Sequence, residues 1–346
     1  MQSRARELLL EFGENAASYQ IINPNITKWL GASGDCLIGY VTHHRVRVVA
    51  GSPVGPSGVL LDSLQQFQKE AKQAGEEVVL FGIDEAWLTH LQAFGDCYAV
   101  SLGSQPVWKP NEWEQTVLSD GSLRAQFNRA RNKGVVVKEW STEEATDSPA
   151  LKSVLTEWLD NRGMPPLHFL VEPETLHFLD DRRTFVAEQN GEPIAFLNLC
   201  PIPQKQGWLT EQFPRRSKAP NGTVELLLDH AIQTVNSEGA QYVTMGLVPL
   251  SETAADAHNP AWLRFLAGWA QAHGRRFYNF GGLEFFKAKF HPHWWERLYA
   301  VSLNGKFTPR HLAAISSAFT EEALPLALIK GGMRAIRQEF RWLSGR

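Results

Sequence analysis

The sequence predicts a mixed α/β protein (α+β) in which one order of elements occurs twice along 346 residues. β-Branched and alternating runs bounded by turn residues predict the strands, and apolar residues at helical spacing predict the helices. The chain is 43% hydrophobic and 21% charged, which is typical of a soluble globular protein and not of a disordered one. This length gives a sizeable core to two ordinary domains or one large one.

The first repeat follows an amphipathic N-terminal helix and has the order β-β-α-β-α-β. Its elements are predicted as strands over 35–41 and 45–50, a helix with Leu60, Leu61, Leu64 and Phe67 on one face, a strand over 77–83, a helix over 85–94 and a strand over 97–102. A basic helix over 122–133 and a strand over 135–140 come next.

The second repeat begins at residue 143. Asn190-Gly191 predicts a tight hairpin, because both residues readily adopt positive φ. Asn259-Pro260 predicts a helix start, because Asn caps helices and Pro suits their first position. The other elements are predicted as helices over 150–162, 173–179 and 223–237, and strands over 184–189, 193–200, 208–213, 242–247, 276–280 and 297–303.

An antiparallel meander followed by α-β-α-β is the build of a GNAT-type acyltransferase domain. Two such domains in tandem, with mixed and mostly antiparallel sheets, fit this order and this length. The predicted divisions are an N-terminal domain over 1–120, a basic linker over 121–142, a C-terminal domain with the active site over 143–303, and a helical basic tail over 304–346.

Charge and cysteine usage narrow the class of protein. The net charge is −3, so any contact with RNA or anionic lipid must come from local patches. The three cysteines are scattered without CxxC spacing, which argues against disulfides and a zinc site and fits a reducing cytoplasm. No stretch approaches the ~20 apolar residues that span a bilayer. We therefore predict a cytoplasmic protein whose membrane contact, if any, is peripheral and on the inner face.

Segment 208–225 carries the richest local motif: a strand ends at Glu211, a basic loop follows, and Pro220-Asn221-Gly222 opens a helix. Free amides at the helix start, beside Arg215, Arg216 and Lys218, predict an anion site. Glu211 and Glu225 are suited to hold a cationic amine. The alternative interpretation is a surface loop with incidental salt bridges.

A second motif lies at 277–299, where Lys287 and Lys289 stand in an aromatic-rich stretch at the predicted end of a strand. Cations there are suited to meet phosphate while aromatic rings line an apolar cavity, although such rings are more often core. His291 and His293 lack a third ligand at useful spacing, so we predict no metal.

Several motifs, in order over residues 21–301, give the chain a specific resemblance. They are VAGSPVG at 49–55, SLR at 122–124 with NRARNKG at 128–134, APNGTVE at 219–225, MGLVPLS at 245–251, and YNFGGL at 278–283 with FKAKF at 286–290. Through them the chain resembles the cytosolic C-terminal domain of the multiple peptide resistance factors, the aminoacyl-phosphatidylglycerol synthases, and their stand-alone relatives. That family folds as two tandem GNAT-type domains, in agreement with the predicted order.

The resemblance implies transfer of an aminoacyl group from aminoacyl-tRNA to the hydroxyl of a lipid such as phosphatidylglycerol. An aminoacyl ester is already activated, so positioning, proton transfer and oxyanion stabilisation suffice, without a metal or organic cofactor. By resemblance the catalytic residues in a central tunnel are Glu211, Arg215, Lys287 and Lys289. The expected substrate-binding residues are Arg216, Asn221, Glu225 and Asn279.

The sequence departs from the family at its acid-x-x-Arg motif. That motif begins with Asp, whereas here Glu211 is followed by Pro214 at the third position, and the arginines fall at 215 and 216. A longer carboxylate and a shifted guanidinium indicate another aminoacyl group, another acceptor or lost activity. Two glutamates at this locus weakly favour a cationic group such as lysyl.

Two basic helices suit polyanionic partners. In the linker helix, the i, i+4, i+7 spacing places Arg124, Asn128 and Arg131 on one face, and Arg129 and Lys133 add further positive charge. Such a face is suited to bind the phosphates of tRNA. The alternative is a solvated helix face without a partner. From Leu326 onwards apolar residues interleave with cations, as in interfacial membrane helices, although packing on the core explains that pattern equally well.

Three other functions remain to be weighed. A CoA-dependent N-acetyltransferase shares the fold, but its Gln/Arg-x-x-Gly-x-Gly/Ala turn is not found where a helix starts. An aminoacyl-tRNA-dependent transferase to a peptide acceptor shares both architecture and donor. A non-catalytic lipid- or RNA-binding relative fits the presence of Pro214. No motif supports a serine or cysteine nucleophile.

Overall fold

The computed structural model describes residues 2–162, 165–249, 251, 259–264 and 280–320. Within them the α-helices are α1 (Gln2–Phe12), α2 (Ser57–Gln73), α3 (Glu85–Phe94), α4 (Pro110–Ser119), α5 (Gly121–Asn132), α6 (Thr142–Ala145), α7 (Pro149–Asp160), α8 (Thr223–Ser237), α9 (Phe280–Ala288) and α10 (Pro309–Thr320). Short 3-10 helices cover Tyr19–Ile22, Phe169–Val171 and Pro203–Lys205. Residues 261–264 are also helical.

The strands form one twelve-stranded mixed sheet. They are β1 (Thr27–Leu30), β2 (Leu37–His43), β3 (Val46–Ala50), β4 (Glu77–Ile83), β5 (Tyr98–Trp108), β6 (Val135–Trp140), β7 (Arg183–Gln189), β8 (Glu192–Ile202), β9 (Gly207–Thr210), β10 (Tyr242–Thr244), β11 (Val248–Pro249) and β12 (Trp294–Ser302). Their order in the sheet is β1-β2-β3-β4-β12-β5-β10-β9-β8-β7-β6, and β11 pairs with β5.

Each half of the sheet repeats the same build. An antiparallel meander, β1-β2-β3 or β7-β8-β9, leads through a crossover helix, α2 or α8, to a parallel neighbour, β4 or β10. The other named pairings are antiparallel. The expected class, mixed α/β with GNAT-type units and a mostly antiparallel sheet, is therefore confirmed, with the strands of both halves joined in a single sheet.

The two halves exchange their last strands at the centre of the sheet. β12 comes from the end of the second half, yet it lies between β4 and β5 of the first. On its other side β5 pairs with β10 of the second half. The predicted domains are continuous along the chain, whereas each half of the sheet contains a strand that pairs with the other half. The domain division stays a prediction.

Apolar packing on both faces of the sheet holds these elements. In the second half, α4, α5 and α8 bury Trp108, Trp113 and Phe290 against the sheet. The buried indoles are hydrogen-bonded: Trp108 Nε1 donates to the Phe290 carbonyl at 2.7 Å, and Trp113 Nε1 donates to Asp229 at 3.1 Å. In the first half, α2 and α3 cover one face and α1 and α10 the other.

Several predicted elements differ from the structure. Residues 173–179 are predicted to be helical but form turns and irregular structure, because two of their carbonyls accept hydrogen bonds outside a helical pattern: Leu176 from the Asp147 amide, and Phe178 from the Arg182 side chain. Lys287 lies on helix α9 and not at the end of a strand. β1 and α4 were not predicted from the sequence. The predicted strand over 276–280 lies, except for Phe280, outside the described residues, as does the tail beyond residue 320.

Other expectations concern membrane spans, metals and cysteines. Among the described residues no helix is long and apolar enough to cross a bilayer. The same part of the chain holds no group of three His, Cys, Asp or Glu side chains suited to a metal. Cys36, Cys97 and Cys200 are free thiols, and the first and last are buried.

Helices α5 and α8 approach each other closely at Gly222. This residue has φ 93° and precedes α8 directly. A Cβ at Gly222 would lie 2.0 Å from the backbone oxygen of Gln126 in α5. Glycine is thus required here both for its positive φ and for its missing side chain. At the other end of α8, Gly239 has φ 91° but open space around it.

These two glycines give a matched pair of substitutions. We expect Gly239→Ala to cost about 1–2 kcal/mol of the free energy of unfolding through backbone strain alone. Gly222→Ala adds the clash with α5, and we expect a loss of about 3 kcal/mol or more. Urea unfolding of both variants measures the difference. Equal losses would contradict the close approach of the two helices.

Candidate active site

The site begins where two parallel strands separate. β9 and β10 are paired from Gly207 opposite Tyr242 to Leu209 opposite Thr244. Beyond this point segment 211–216 continues alongside β8, whereas the chain after β10 moves on to pair with β5 through β11. The carboxyl ends of a parallel pair are where α/β proteins commonly bind ligands.

A one-residue bulge sets the direction of Arg215. Leu199 of β8 lies opposite Thr210, and Ala195 lies opposite Arg215, so four steps along β8 face five steps along its neighbour. Arg215 therefore shares a face with Ala195, which packs in the core beneath α8. Arg215 follows Glu211 by four residues, one more than in the acid-x-x-Arg spacing described above, and the bulge accommodates this extra residue.

A cavity of about 270 Å³ lies at the start of α8. Arg129 of α5 and Arg215 line it, and neither guanidinium has an acidic or hydrogen-bonding partner in the described part of the chain. No side chain caps the first turn of α8. The other lining residues are Gln126, Pro220, Asn221, Gly222, Thr223, Val224, Glu225 and Phe286. Two unpaired cations and the positive end of a helix dipole favour an anion.

Glu225 is the acidic residue of this cavity, and Lys289 neutralises it. The Lys289 Nζ lies 2.5 Å from the Glu225 Oε1, and the two side chains are 24% and 12% exposed. The ammonium also lies over the rings of Phe286 and Phe290, at 4.4 and 5.1 Å from their centroids. The charge of Glu225 is therefore balanced within the protein, so the cavity keeps the net positive charge of its two arginines.

Glu211 forms a buried ion pair that the sequence did not reveal. Its carboxylate accepts hydrogen bonds from the Nε and Nη2 of Arg182 at 3.2–3.3 Å and from Gln20 at 3.1 Å. The Arg182 side chain is fully buried, and that of Glu211 is 12% exposed. Burial alone would lower the pKa of Arg182, but the Glu211 carboxylate outweighs it and raises that pKa.

Arg182 also contacts neighbouring segments, including the N-terminal part of the chain. Its Nη2 donates to Asn23 at 2.9 Å, its Nη1 donates to the Phe178 carbonyl at 2.7 Å, and its guanidinium lies over the ring of Tyr19. Neighbouring Cys200 is fully buried, and burial, followed by the charge of Glu211, raises the pKa of its thiol well above the ordinary range. A thiol in this state is a poor nucleophile.

Lys287 is buried, and no carboxylate in the described part of the chain forms an ion pair with it. Its Nζ donates to the backbone carbonyls of Met245, Gly246 and Leu247 at 2.6, 2.9 and 3.3 Å. These carbonyls belong to the segment that leaves β10, so Lys287 fixes the chain where the two parallel strands separate. Burial lowers the pKa of Lys287 to about 7.

The other predicted site residues do not all gather here. Arg216 turns away to Glu157 and the Pro193 carbonyl, at 3.0 and 3.2 Å. Asn221 lines the cavity, and Asn279 lies outside the described residues. His291 and His293 pair with Asp120 and Glu112 of neighbouring segments.

The basic helix α5 presents its charges on two sides. Arg129 faces the cavity with Arg215, whereas the predicted i, i+4, i+7 face, Arg124, Asn128 and Arg131, lines a second cavity of about 260 Å³. That second cavity also contains Asp229, which lies 3.6 Å from Arg131. Lys133 is exposed at the end of the helix.

Comparison with known proteins gives one consistent family. The family described as "Phosphatidylglycerol lysyltransferase, C-terminal" matches residues 6–302. A phosphatidylglycerol lysyltransferase of Bacillus subtilis is 25% identical over 306 residues, which cover 87% of this chain and 35% of that protein. A phosphatidylglycerol lysyltransferase of Staphylococcus xylosus is 22% identical over 289 residues, 82% of this chain and 34% of that protein. The chain thus spans about a third of the length of these curated relatives.

A solved structure shows the same fold. L-PGS from Bacillus licheniformis has a TM-score of 0.77 at 22% identity, covering 91% of this chain and 95% of that one. The likeness extends over both halves of the sheet.

The buried pair of Arg182 and Glu211 has a testable energetic consequence. Arg182→Met leaves the carboxylate of Glu211 buried without its cation, and we expect a loss of about 3–5 kcal/mol in the free energy of unfolding. Its neighbour Arg183 pairs with Glu139 and Glu238 nearer the surface, so Arg183→Met should cost only about 1 kcal/mol. Denaturant unfolding compares the two, and similar losses would contradict the assignment.

The depressed pKa of Lys287 predicts a pH dependence of stability. Between the folded pKa of about 7 and the unfolded value near 10.5, the unfolded chain binds more protons, so stability rises with pH. The free energy of unfolding of the native chain relative to Lys287→Met should rise by up to about 1.4 kcal/mol per pH unit above 7. Lys69→Met, at an exposed site on α2, should show no such trend. A difference in the free energy of unfolding that does not change with pH for either variant would contradict the lowered pKa of Lys287.

Proposed function

Because this chain belongs to the family of phosphatidylglycerol lysyltransferase C-terminal domains, we propose that it transfers an aminoacyl group to the hydroxyl of a membrane lipid such as phosphatidylglycerol. The lysyl group is the proposed cargo, since the curated relatives carry that name. The proposed location is cytoplasmic and peripheral on the inner face of the membrane. The proposed donor is aminoacyl-tRNA.

The observation that carries this proposal is the cavity at the start of α8. Its two unpaired arginines and uncapped helix start suit the phosphodiester of a lipid headgroup better than an amine. We propose that Arg215 contacts the anionic headgroup or the oxyanion that forms during transfer. Asn221, which lines the same cavity, is a proposed substrate ligand.

The proposed reaction needs no redox step. The lipid hydroxyl oxygen attacks the carbonyl carbon of the aminoacyl ester, a new ester forms, and the bond to the ribose oxygen breaks. The proton of the lipid hydroxyl ends on that ribose oxygen. Lys289, beside Glu225, is the proposed group that relays this proton and faces the developing charge.

Glu211 and Lys287 have different proposed tasks. The Glu211 side chain is 12% exposed, and its Oε2 accepts a hydrogen bond of 3.3 Å from Arg182 Nε, so the accessible part of this carboxylate is the proposed acceptor for the ammonium of the aminoacyl group. Lys287, whose ammonium is engaged by three carbonyls, is proposed to hold the strand opening rather than to touch substrate.

For the donor, we propose that α5 contributes phosphate contacts to tRNA. Arg124, Asn128 and Arg131 line a cavity on one side of the helix. Arg129 of the same helix lines the first cavity. We therefore propose that the tRNA binds on one side of α5 and the lipid acceptor on the other.

Lipid extraction and mass spectrometry of cells expressing the chain test the function directly. We expect a new aminoacylated lipid, and about a hundredfold less of it with Arg215→Gln, because a charge-assisted contact to the reacting group is lost. Lys69→Gln, an exposed cation on α2, serves as the matched control and should leave the product unchanged.

Two results would overturn this proposal. One is the absence of any new lipid in cells that contain the folded protein; if the purified chain then binds aminoacyl-tRNA, a peptide acceptor becomes the better candidate. The other is equal product from the native chain and Arg215→Gln, which would remove the cavity from the reaction.

A further inference from the structure

One exposed aromatic residue stands out beside the cavity. Phe285 of α9 is 76% exposed, the largest value among the exposed large hydrophobic residues of the described part of the chain. Its neighbour Phe286 lines the cavity, and Lys289, one helical turn further on, pairs with the cavity residue Glu225. Phe285 therefore directly precedes a cavity-lining residue on α9, and its ring is in solvent.

Two cations that line the cavity, and two more that follow them within four residues of the chain, have no acidic partner among the described residues. We call them the cationic rim: Arg129, Lys133, Arg215 and Lys218. All four are exposed, and none has an acidic partner within the described residues. Arg129 and Arg215 line the cavity. Lys133 directly follows α5, four residues beyond Arg129, and Lys218 lies in the loop between Arg215 and the start of α8. Two acids of this region are already engaged, Glu225 by Lys289 and Glu157 by Arg216.

We propose that the cationic rim and Phe285 form the surface by which this chain docks on an anionic lipid bilayer. The inference rests on the proposed function and adds the face on which the lipid substrate arrives. The net charge of the whole chain is −3, so attraction to an anionic surface must come from such a local patch.

The combination of side chains favours lipid over RNA. Interfacial elements place a large apolar residue among Lys and Arg, so that the ring enters the headgroup boundary while the cations meet phosphates. A solvent-exposed phenylalanine gains from that transfer, and the phosphates that attract the rim also supply the ligand for the cavity. Docking through this face therefore places the cavity mouth against the bilayer.

Co-sedimentation of the full chain with vesicles tests the surface without any donor. We expect binding to vesicles of equal parts phosphatidylglycerol and phosphatidylcholine, weaker at high salt, and none to phosphatidylcholine alone. Phe285→Ser should weaken binding about tenfold. Val136→Ser is the matched control, because Val136 is 53% exposed on β6 and is not part of the proposed surface, so its loss should leave binding unchanged.

The charged part of the surface has its own pair of variants. Lys218→Gln should weaken vesicle binding and its salt dependence, whereas Lys69→Gln on α2 should not. Circular dichroism of each variant establishes that the fold is intact, as expected for exposed positions.

Three outcomes would overturn the proposal. Vesicle binding that is absent in the native chain or unchanged in Phe285→Ser would remove the surface from the membrane. Loss of tRNA binding in Phe285→Ser and Lys218→Gln, with vesicle binding intact, would assign the surface to RNA.

Vesicle binding that follows the predictions in a chain that makes no aminoacylated lipid would sustain this inference while the proposed function fails.

Discussion

The pairing of β12 with β5 is the constraint on which the rest of the molecule depends. All nine residues of β12 pair with β5, with one register shift between Leu298 and Tyr299, and on the other side β12 completes the first half by pairing with β4. Because β12 begins opposite Val107, at the end of β5 that lies nearest α4, the chain just before it is held against the second half. That placement brings Phe290 to Trp108 and Lys289 to Glu225. The candidate site is thus assembled by an element that belongs to the other half of the sheet.

The electrostatics of the site follow from how its acids are matched. Glu211 is balanced by Arg182, and Glu225 by Lys289, each in a pair that is largely buried. The guanidinium groups of Arg129 and Arg215 are left unmatched among the described residues. The sequence showed both signs of charge at one locus, but only the pairing decides that the residual field is positive. A site with this field selects the anionic part of a substrate first.

Local signals in the sequence predicted local structure well. Helix α8 has the expected bounds, and Asn190 and Gly191 both adopt positive φ in the hairpin that they predicted. Arg182 was missed because its partner Asn23 lies 159 residues away along the chain, where no spacing rule connects the two. The position of β12 was missed for the same reason. The bulge before Arg215 depends on the register of two strands, which a single sequence does not encode locally.

The exchanged strand also bears on how the chain is made on the ribosome. β4 and β5 emerge early, yet the strand that fills the slot between them is synthesised only after the whole second meander. During that interval the nascent first half exposes two unpaired strand edges, and such edges invite pairing with other chains. A fragment that ends before residue 294 keeps this slot open permanently. The sheet therefore cannot close until β12 has been synthesised, and we expect the yield in cells to depend on chaperones that shield the open slot until then.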